Sequence, residues 1–309
     1  ILCNEKGGVL NDPVLLRLTE DEFWFSISDS DLLLWLQGVN VSKKYDVEID
    51  EIDACPVQIQ GPLSEDLMAK LAGEELREVP YYGILETKVG GADCVISQTG
   101  FTGEKGYEIY VRDAHENAEK MWNAVLEAGE EFGLMVIAPA HHRRIAAGIL
   151  SWGQDLDHET SPFQVNLSYQ VPRNKAADYI GKEELEKQRA IMDEGKAPFK
   201  MKMVGLTLGG KEITDYAPDF WIVTNTDEDE VGYVTSPWWS PELETNIALA
   251  WVPWESSEVG TKYMVKLPDE YSESPGVAVN AEIVDVPFRE SVNPNKREVQ
   301  AAKGLDFAD

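Results

Sequence analysis

Residues 99–111 read TGFTGEKGYEIYV, a glycine-rich turn that runs into a strand of alternating side chains. In such a strand Glu108 and Tyr110 point to one face of a sheet, and Tyr107 points to the other. A carboxylate on the inner side of a strand is costly to bury unless hydrogen-bond donors meet it. The residues alone leave two interpretations of Glu108 open, an exposed strand face or a functional acid.

The elements around this strand predict a ferredoxin-like unit over about 47–135, with helices on one side of an antiparallel sheet. The helix after the strand is the clearest of the chain, because its apolar residues recur at helical spacing. The predicted elements are strands in VEIDEI and CPVQIQG (47–61), a helix over 65–73 capped by Ser64, strands near 84–89 and 93–98, and a helix over 116–132.

The N-terminal residues predict strands and one helix. ILC and VLNDPVLLRL are predicted as strands on either side of the turn residues NEKGG. FWFSIS (23–28) alternates and predicts another strand. Asp29 or Ser30 is predicted to cap a helix through LLLWLQ, with Gly38 at its C-terminal end.

The second half of the chain changes from helical to all-β patterns. Helices are predicted from His141 to about residue 150 and over 181–195. From about residue 200 short strands alternate with turn signals, which favours a small barrel or sandwich. We therefore predict a first region over 1–197 and a C-terminal β-barrel domain over 198–309. The predicted strands are 203–208, 219–224, 230–236, 245–253, 262–267 and 280–288.

The composition restricts the classes of function. The 309 residues include 27 Lys+Arg and 56 Asp+Glu, so the net charge is −29. Such a charge repels phosphate backbones and anionic lipid headgroups, so neither nucleic acid nor a membrane is expected as a partner. Three widely separated cysteines favour a reducing compartment, for which we predict the cytoplasm. We predict no metal site, because no Cys or His pair has suitable ligand spacing.

A second unusual segment is SWGQDLDHETSPFQVNLSY (151–169). It places Trp152, Gly153 and two aspartates in one long predicted loop. Long ordered loops are more often functional than short ones. A solvated acidic loop is the alternative, and the residues do not decide between the two.

Five motifs together resemble the aminomethyltransferase (glycine-cleavage T-protein) superfamily. GFTGEKGYEIYV is similar to its GYTGExGxE motif, and LSWGQDLDHETSPFQVNLSYQV to its LYGxDxDxxxxPxExxLxWxV segment. The other three matches, in the same order as in the family, are CNEKGGVLNDPVLL, YIGKEEL and VGYVTSPWWSPELETNIALAWVP.

The resemblance implies an α+β fold, a T-protein-like multi-domain ring around a central folate channel. That ring contains the ferredoxin-like unit and ends in the C-terminal β-barrel. Family members also carry a further N-terminal stretch before the NExGG hairpin, and this sequence starts inside that hairpin. The implied cofactor is tetrahydrofolate.

The resemblance also implies roles for individual residues. The folate-binding carboxylate of the family maps onto Glu108, where a carboxylate can accept the adjacent N–H and amino groups of a pterin. The catalytic acid maps onto Asp12. The remaining candidates for cofactor binding are Tyr110, Phe101, Tyr81, Tyr82, Trp152 and Ser28.

Within the superfamily the sequence resembles the demethylase branch. T-proteins carry an arginine where this chain has Ala140, and usually an asparagine where it has Ser28. Tyr110 aligns with a tyrosine of the dimethylsulfoniopropionate demethylases. The iron–sulfur-assembly relatives carry a cysteine motif of the KGCYxGQ type, which is absent here.

We therefore predict an enzyme that moves a methyl group from a small S-, O- or N-methylated donor to N5 of tetrahydrofolate. The first alternative is a glycine-cleavage T-protein, whose partner would be a lipoyl carrier protein. The second alternative is a folate-binding protein without catalysis. A sulfonium donor needs no acid, since a neutral thioether leaves, whereas a methyl ether needs a general acid such as Asp12. Trp152 offers a cation–π face to a cationic donor.

Overall fold

The N-terminal strands form two separate hairpins. A computed structural model describes residues 1–27 and 30–289 of the chain. Strands β1 (Leu2–Cys3) and β2 (Val9–Asn11) pair with each other, as do β3 (Val14–Arg17) and β4 (Phe23–Ser26). The single strand predicted over VLNDPVLLRL is therefore wrong. It divides at Asp12 and Pro13, and Pro13 has no N–H for a strand ladder.

Helix α1 (Leu32–Lys43) is longer than predicted and begins differently. Asp31 is its N-cap, because its side chain accepts a hydrogen bond from the Leu34 N–H at 3.5 Å. The helix continues through Gly38, so the predicted end at that glycine is wrong. The predicted cap Asp29 lies outside the described residues, and Ser30 instead accepts a hydrogen bond from Asn11 at 2.6 Å. The helix ends at Lys43, and its C-cap Lys44 has a left-handed backbone.

The central body is an antiparallel sheet with two helices on one face. Its strand order is β5-β8-β7-β6, so three consecutive strands follow the first helix. Residues 47–52 belong to no strand; they are mostly exposed and pair with no neighbouring strand, which corrects the prediction for VEIDEI. The elements are β5 (Ala54–Gln60), α2 (Ser64–Ala72), β6 (Ile84–Val89), β7 (Ala92–Ser97), β8 (Gly106–Arg112) and α3 (Ala114–Gly129).

The two faces of this sheet have different partners. Helices α2 and α3 cover one face with apolar residues such as Leu67, Met121 and Val125. The predicted cap Ser64 is instead the first residue of α2, and its hydroxyl donates to the Lys105 carbonyl oxygen at 3.0 Å. The other face meets the β3–β4 hairpin. That face carries Glu108.

Two further helices lead to the C-terminal part. Helix α4 (His141–Ala146) is shorter than predicted, because Gly148 takes a left-handed backbone with φ +67° just after it. Helix α5 (Lys182–Asp193) matches its prediction closely. Among the described residues no helix is long and apolar enough to cross a bilayer.

The C-terminal part is a closed antiparallel barrel, as predicted. Its strands follow the order β10-β11-β12-β9-β14-β13, and β13 closes the barrel against β10. Apolar side chains such as Leu206, Val223 and Ile283 fill its interior. The boundary at residue 198 stays a prediction. The strands are β9 (Met201–Leu208), β10 (Trp221–Thr224), β11 (Glu230–Ser240), β12 (Thr245–Pro253), β13 (Lys262–Val265) and β14 (Val279–Val284).

Candidate functional site

The Glu108 carboxylate lies on the helix-free face of the sheet and is 7% exposed. Its Oε1 accepts a hydrogen bond from Gln58 Nε2 at 2.9 Å. Its Oε2 accepts from the hydroxyls of Thr99 and Tyr110, the latter at 3.1 Å. A buried carboxylate needs such donors to remain ionised without a large penalty. The exposed strand face is therefore wrong for Glu108, and its role as a functional acid stays a prediction.

Strand register brings Gln58 to this carboxylate. Gln58 on β5 is the direct cross-strand partner of Glu108 on β8, although the two are 50 residues apart in sequence. The side-chain oxygen of Gln58 accepts a long hydrogen bond of 3.4 Å from the Phe101 N–H. The half-buried Phe101 therefore lies beside the Glu108 cluster, and its role in cofactor binding stays a prediction.

Tyr110 is buried and keeps its proton. Burial and the negative charge of Glu108 both raise the pKa of its phenol well above the ordinary value. Tyr110 also packs against Leu16 and Trp24 of the hairpin above the sheet. Tyr110 therefore acts as a donor to Glu108 throughout the neutral range.

The aromatic pair Tyr81 and Tyr82 lies at the edge of this cluster. Their ring centroids are 4.4 Å apart at an interplanar angle of 47°. Tyr82 has φ +61°, a backbone conformation that is uncommon for an aromatic residue, and its N–H donates to the Gln98 carbonyl oxygen at 3.2 Å. Gln98 immediately precedes Thr99, so the pair borders the donors of Glu108.

A close approach of backbone and side chain shapes the turn before β8. The Gln60 amide donates to the Thr99 carbonyl oxygen at 3.0 Å and accepts from the Thr102 hydroxyl at 2.8 Å. A side chain at Gly100 would place its Cβ 2.2 Å from the Gln60 side-chain oxygen. A Cβ at this position would therefore displace the Gln60 amide from its hydrogen bonds to Thr99 and Thr102.

Asp12 lies at the bend between β2 and β3, half-buried. Gln170 Nε2 donates to its Oδ1 at 3.4 Å. The hairpin that begins two residues later covers the Glu108 face through Leu16, which packs against Tyr110. Strand β3, which follows Asp12, therefore contacts the sheet face that carries Glu108.

Trp152 contacts strand β2. Its indole N–H donates to the Val9 carbonyl oxygen at 3.0 Å, and its ring packs in the apolar cluster that contains Leu156 and Trp238. The predicted Trp152 therefore contacts the strand that leads to Asp12. Within the described residues, no hydrogen bond or ring contact joins it directly to Glu108.

The rest of the 151–169 loop is anchored by a buried ion pair. The side chains of Arg144 and Asp155 are 1% and 0% exposed, and Arg144 Nη1 lies 2.7 Å from Asp155 Oδ2. Asp155 also accepts from the Ser151 N–H and from the hydroxyls of Thr235 and Ser236 in the barrel. Asp155 therefore has a structural role, because its carboxylate oxygens accept hydrogen bonds from donors of the chain itself.

His141 completes this ion-pair network. Arg144 Nε donates to its Nδ1 at 3.3 Å, and its ring stacks on Trp238 with centroids 5.6 Å apart. Burial first, and then the positive charge of Arg144, lower the pKa of His141. It is therefore neutral at neutral pH, and its Nδ1 accepts a hydrogen bond from the Arg144 N–H.

Sequence reasoning missed Gln58 and Thr99 as members of the site. Thr99 lay inside the quoted glycine-rich segment, so its hydroxyl was a detectable signal. Gln58 offered no local signal, because only the sheet register places it on Glu108. The predicted Ser28 lies outside the described residues.

Other features of the described residues lie apart from this cluster. A cavity of about 210 Å³ opens between α5 and the preceding loop, and no predicted site residue lines it. No group of three or more His, Cys, Asp or Glu in the described part of the chain could hold a metal ion. The cysteines there are Cys3, Cys55 and Cys94, none of them in a disulfide.

Family models match both parts of this architecture. The GCVT N-terminal domain matches residues 1–175, and the glycine cleavage T-protein C-terminal barrel domain matches residues 202–289. The chain belongs to the glycine-cleavage T-protein family. The recognition of this family from five sequence motifs is confirmed, and so is the predicted α+β fold with its terminal barrel.

Members of the T-protein family with different names are similar to this chain. A dimethylsulfoniopropionate demethylase from Ruegeria pomeroyi is 33% identical over 266 residues, which cover 86% of this chain and 70% of the relative. An aminomethyltransferase from Clostridium botulinum strain Kyoto is 33% identical over 274 residues, with the same two shares. The chain is therefore a one-carbon transferase of a tetrahydrofolate-dependent family, as predicted.

A solved T-protein supports the same architecture. The aminomethyltransferase T of the glycine cleavage system from Bartonella henselae aligns with a TM-score of 0.70 at 23% sequence identity. The alignment covers 94% of this chain and 75% of that structure. At this identity the likeness concerns the fold alone.

Proposed function

We propose that this protein is a tetrahydrofolate-dependent demethylase that takes a methyl group from a small methylated donor. The observation that carries the proposal is the Tyr110 hydroxyl on Glu108 Oε2 at 3.1 Å. Tyr110 is the residue by which the sequence resembles the sulfoniopropionate demethylases. The 33% identity to the demethylase of Ruegeria pomeroyi supports the same choice.

The Glu108 cluster fits a pterin ring in its chemistry. Each carboxylate oxygen offers about two acceptor positions. Among the described residues Oε1 has one donor, Gln58, which leaves one acceptor position for a pterin N–H. Oε2 already has the Thr99 and Tyr110 hydroxyls, so a second contact to the pterin amino group requires one hydroxyl to turn away. The neighbouring rings of Phe101, Tyr81 and Tyr82 suit stacking on a flat ring system.

Tetrahydrofolate, when bound, supplies N5 as the atom that receives the methyl group. The chain supplies position and charge. Glu108 orients the pterin, and Asp12 at the β2–β3 bend is the acid for donors whose leaving group needs a proton. A sulfonium donor releases a neutral thioether and makes no demand on Asp12.

The arginines near helix α4 also favour demethylation over aminomethyl transfer. Ala140 is the N-cap of α4, where T-proteins carry an arginine. Arg144 is fully buried on Asp155, and Arg143 lies 3.3 Å from Glu104. Neither guanidinium substitutes for the missing arginine, since both are held by carboxylates of the chain.

The alternative is aminomethyl transfer with a lipoyl carrier protein as partner. The aminomethyltransferase from Clostridium botulinum, at the same 33% identity, favours it. Under this alternative Glu108 and Asp12 keep their roles toward folate, and only the donor differs.

The test uses the purified protein with tetrahydrofolate and three methylated donors, a sulfonium, a quaternary ammonium and an aryl methyl ether. We expect 5-methyltetrahydrofolate from at least one donor, measured by chromatography with fluorescence detection. In parallel, the protein is given an aminomethyl-lipoyl carrier. Formation of 5,10-methylenetetrahydrofolate there, without methyl transfer, would replace the proposal by the alternative. Folate binding without either product would indicate a non-catalytic binding protein.

A further inference from the structure

Gln58 connects the carboxylate of the site to the turn that carries its aromatic residue. Its amide nitrogen donates to Glu108 Oε1 at 2.9 Å, and its amide oxygen accepts from the Phe101 N–H at 3.4 Å. One side chain thus touches both groups that the proposed function assigns to the pterin. Gln58 itself is exposed, so it stands at the solvent side of the buried carboxylate.

Both contacts require the same orientation of the amide. A backbone N–H can only donate, so the group facing Phe101 must be the amide oxygen. The amide nitrogen then faces Glu108 and donates to it. The orientation of Gln58 follows from these partners, and the carboxylate has a donor on Oε1 in addition to the two hydroxyls on Oε2.

We propose that Gln58 is a positioning residue for pterin binding, an inference that rests on the proposed folate site. By holding Oε1, Gln58 fixes the rotation of the carboxylate so that its remaining acceptor position faces the ligand. By holding the Phe101 N–H, it fixes the aromatic residue relative to that carboxylate. A neutral amide can do both, whereas a lysine would donate to the carboxylate but could not accept from the backbone.

Gln60 is a matched control two residues along the same strand. Its amide also holds the turn, through the Thr99 carbonyl oxygen at 3.0 Å and the Thr102 hydroxyl at 2.8 Å. It makes no hydrogen bond to Glu108. Both glutamines therefore make hydrogen bonds to the turn, and of the two Gln58 alone donates to the Glu108 carboxylate.

The experiment compares Gln58→Leu, Gln58→Glu, Gln60→Leu and Gln60→Glu with the wild-type chain. Dissociation constants for tetrahydrofolate are measured by anaerobic titration calorimetry at pH 6 and pH 8, and thermal unfolding reports on folding. We expect Gln58→Leu to weaken binding about fivefold or more, the loss of one hydrogen bond. Its unfolding temperature should be similar to that of Gln60→Leu, because each variant loses two hydrogen bonds of one glutamine amide.

The Gln58→Glu variant gives a result that a purely structural role would not produce. It places a second carboxylate beside Glu108, and two such groups share a proton. Binding should therefore weaken further from pH 6 to pH 8 in this variant, beyond any change in the wild type. Gln60→Glu should show no such pH dependence, because Gln60 does not contact Glu108.

Two results would overturn the inference. One is wild-type affinity in both Gln58 variants, and the other is an equal loss in the Gln58 and Gln60 pairs without the pH effect. If the wild type binds folate but transfers no methyl group, the proposed function fails. The inference about Gln58 is then decided by the dissociation constants of the variants alone. If the wild type binds no folate at all, both fail together.

Discussion

The Glu108 carboxylate is a buried charge held by one amide and two hydroxyls. Its strand position was predictable, because alternation places Glu108 and Tyr110 on the same face. The side chains that meet it were only partly predictable. Thr99 stands close by in sequence, whereas Gln58 arrives from a strand that lies 50 residues earlier.

Replacing Glu108 by glutamine tests the acceptor at the residue scale. We expect Glu108→Gln to weaken tetrahydrofolate binding by about 1.5–3 kcal/mol, because charged hydrogen-bond acceptors are stronger than neutral ones. Titration calorimetry measures the change. Glu86→Gln, an exposed substitution on the same sheet, is the control and should bind normally. An unchanged affinity in Glu108→Gln would remove this residue from the pterin site.

The proposed acid gives a separate prediction, since it acts on turnover. We expect Asp12→Asn to lower turnover more than folate affinity. With a methyl ether donor the loss should reach about 100-fold, the contribution of a general acid, and with a sulfonium donor it should be smaller. Steady-state kinetics with each donor measure this, and Asp21→Asn on the exposed hairpin turn is the control. Collapse of affinity with normal turnover at saturation would make Asp12 a binding residue only.

At the scale of elements, several boundaries depended on tertiary contacts. Pro13 divides a predicted strand into β2 and β3, which pair with different partners. Residues 47–52 alternate like a strand yet have no neighbouring strand to pair with. Helix α1 passes through Gly38, although a glycine often marks a helix end.

The interior position of Gly38 leads to a stability prediction. A Cβ added there meets no atom within 4 Å. Gly38→Ala should therefore raise the free energy of unfolding by about 0.5–1 kcal/mol, since alanine has the higher helix propensity. Urea unfolding measures it. Gly90→Ala is the opposing control and should destabilise, because Gly90 has φ +58° and its added Cβ would lie 2.6 Å from that of Ala124. Destabilisation by Gly38→Ala would argue against a helix at this position.

At the scale of the whole molecule, the Arg144–Asp155 pair joins helix α4 and the 151–156 loop to the barrel. Removing one partner of a buried pair leaves the other charge uncompensated. We expect Arg144→Ala to lower the free energy of unfolding by about 3–5 kcal/mol. Arg143 precedes Arg144 on the same helix and is half exposed. Arg143→Ala should therefore change the free energy of unfolding by about 1 kcal/mol or less. Similar losses in the two variants, measured by urea unfolding, would contradict this role.

The net charge of −29 acts on the whole chain as well. Like charges repel in the compact state, and salt screens that repulsion, with a screening length that falls from about 10 Å at 0.1 M to about 3 Å at 1 M. We expect the unfolding temperature to rise when KCl is increased from 0.1 M to 1 M. Differential scanning fluorimetry measures it, with sorbitol at matched osmolality as the control. A lower unfolding temperature at 1 M KCl than at 0.1 M KCl would show that attractive ion pairs dominate instead.

The amino-acid sequence by itself determined the barrel strands, helices α3 and α5, the placement of Glu108 and Tyr110 on one sheet face, and the family of the chain. These features depend on periodicity and on local motifs, which are readable within short windows. Only the tertiary structure decided that Gln58 meets Glu108, that Trp152 bonds to Val9 and that Asp155 is engaged by Arg144 and the barrel. Each of the three contacts includes a partner from a distant part of the chain, and all three depend on strand register and packing, which no local pattern encodes.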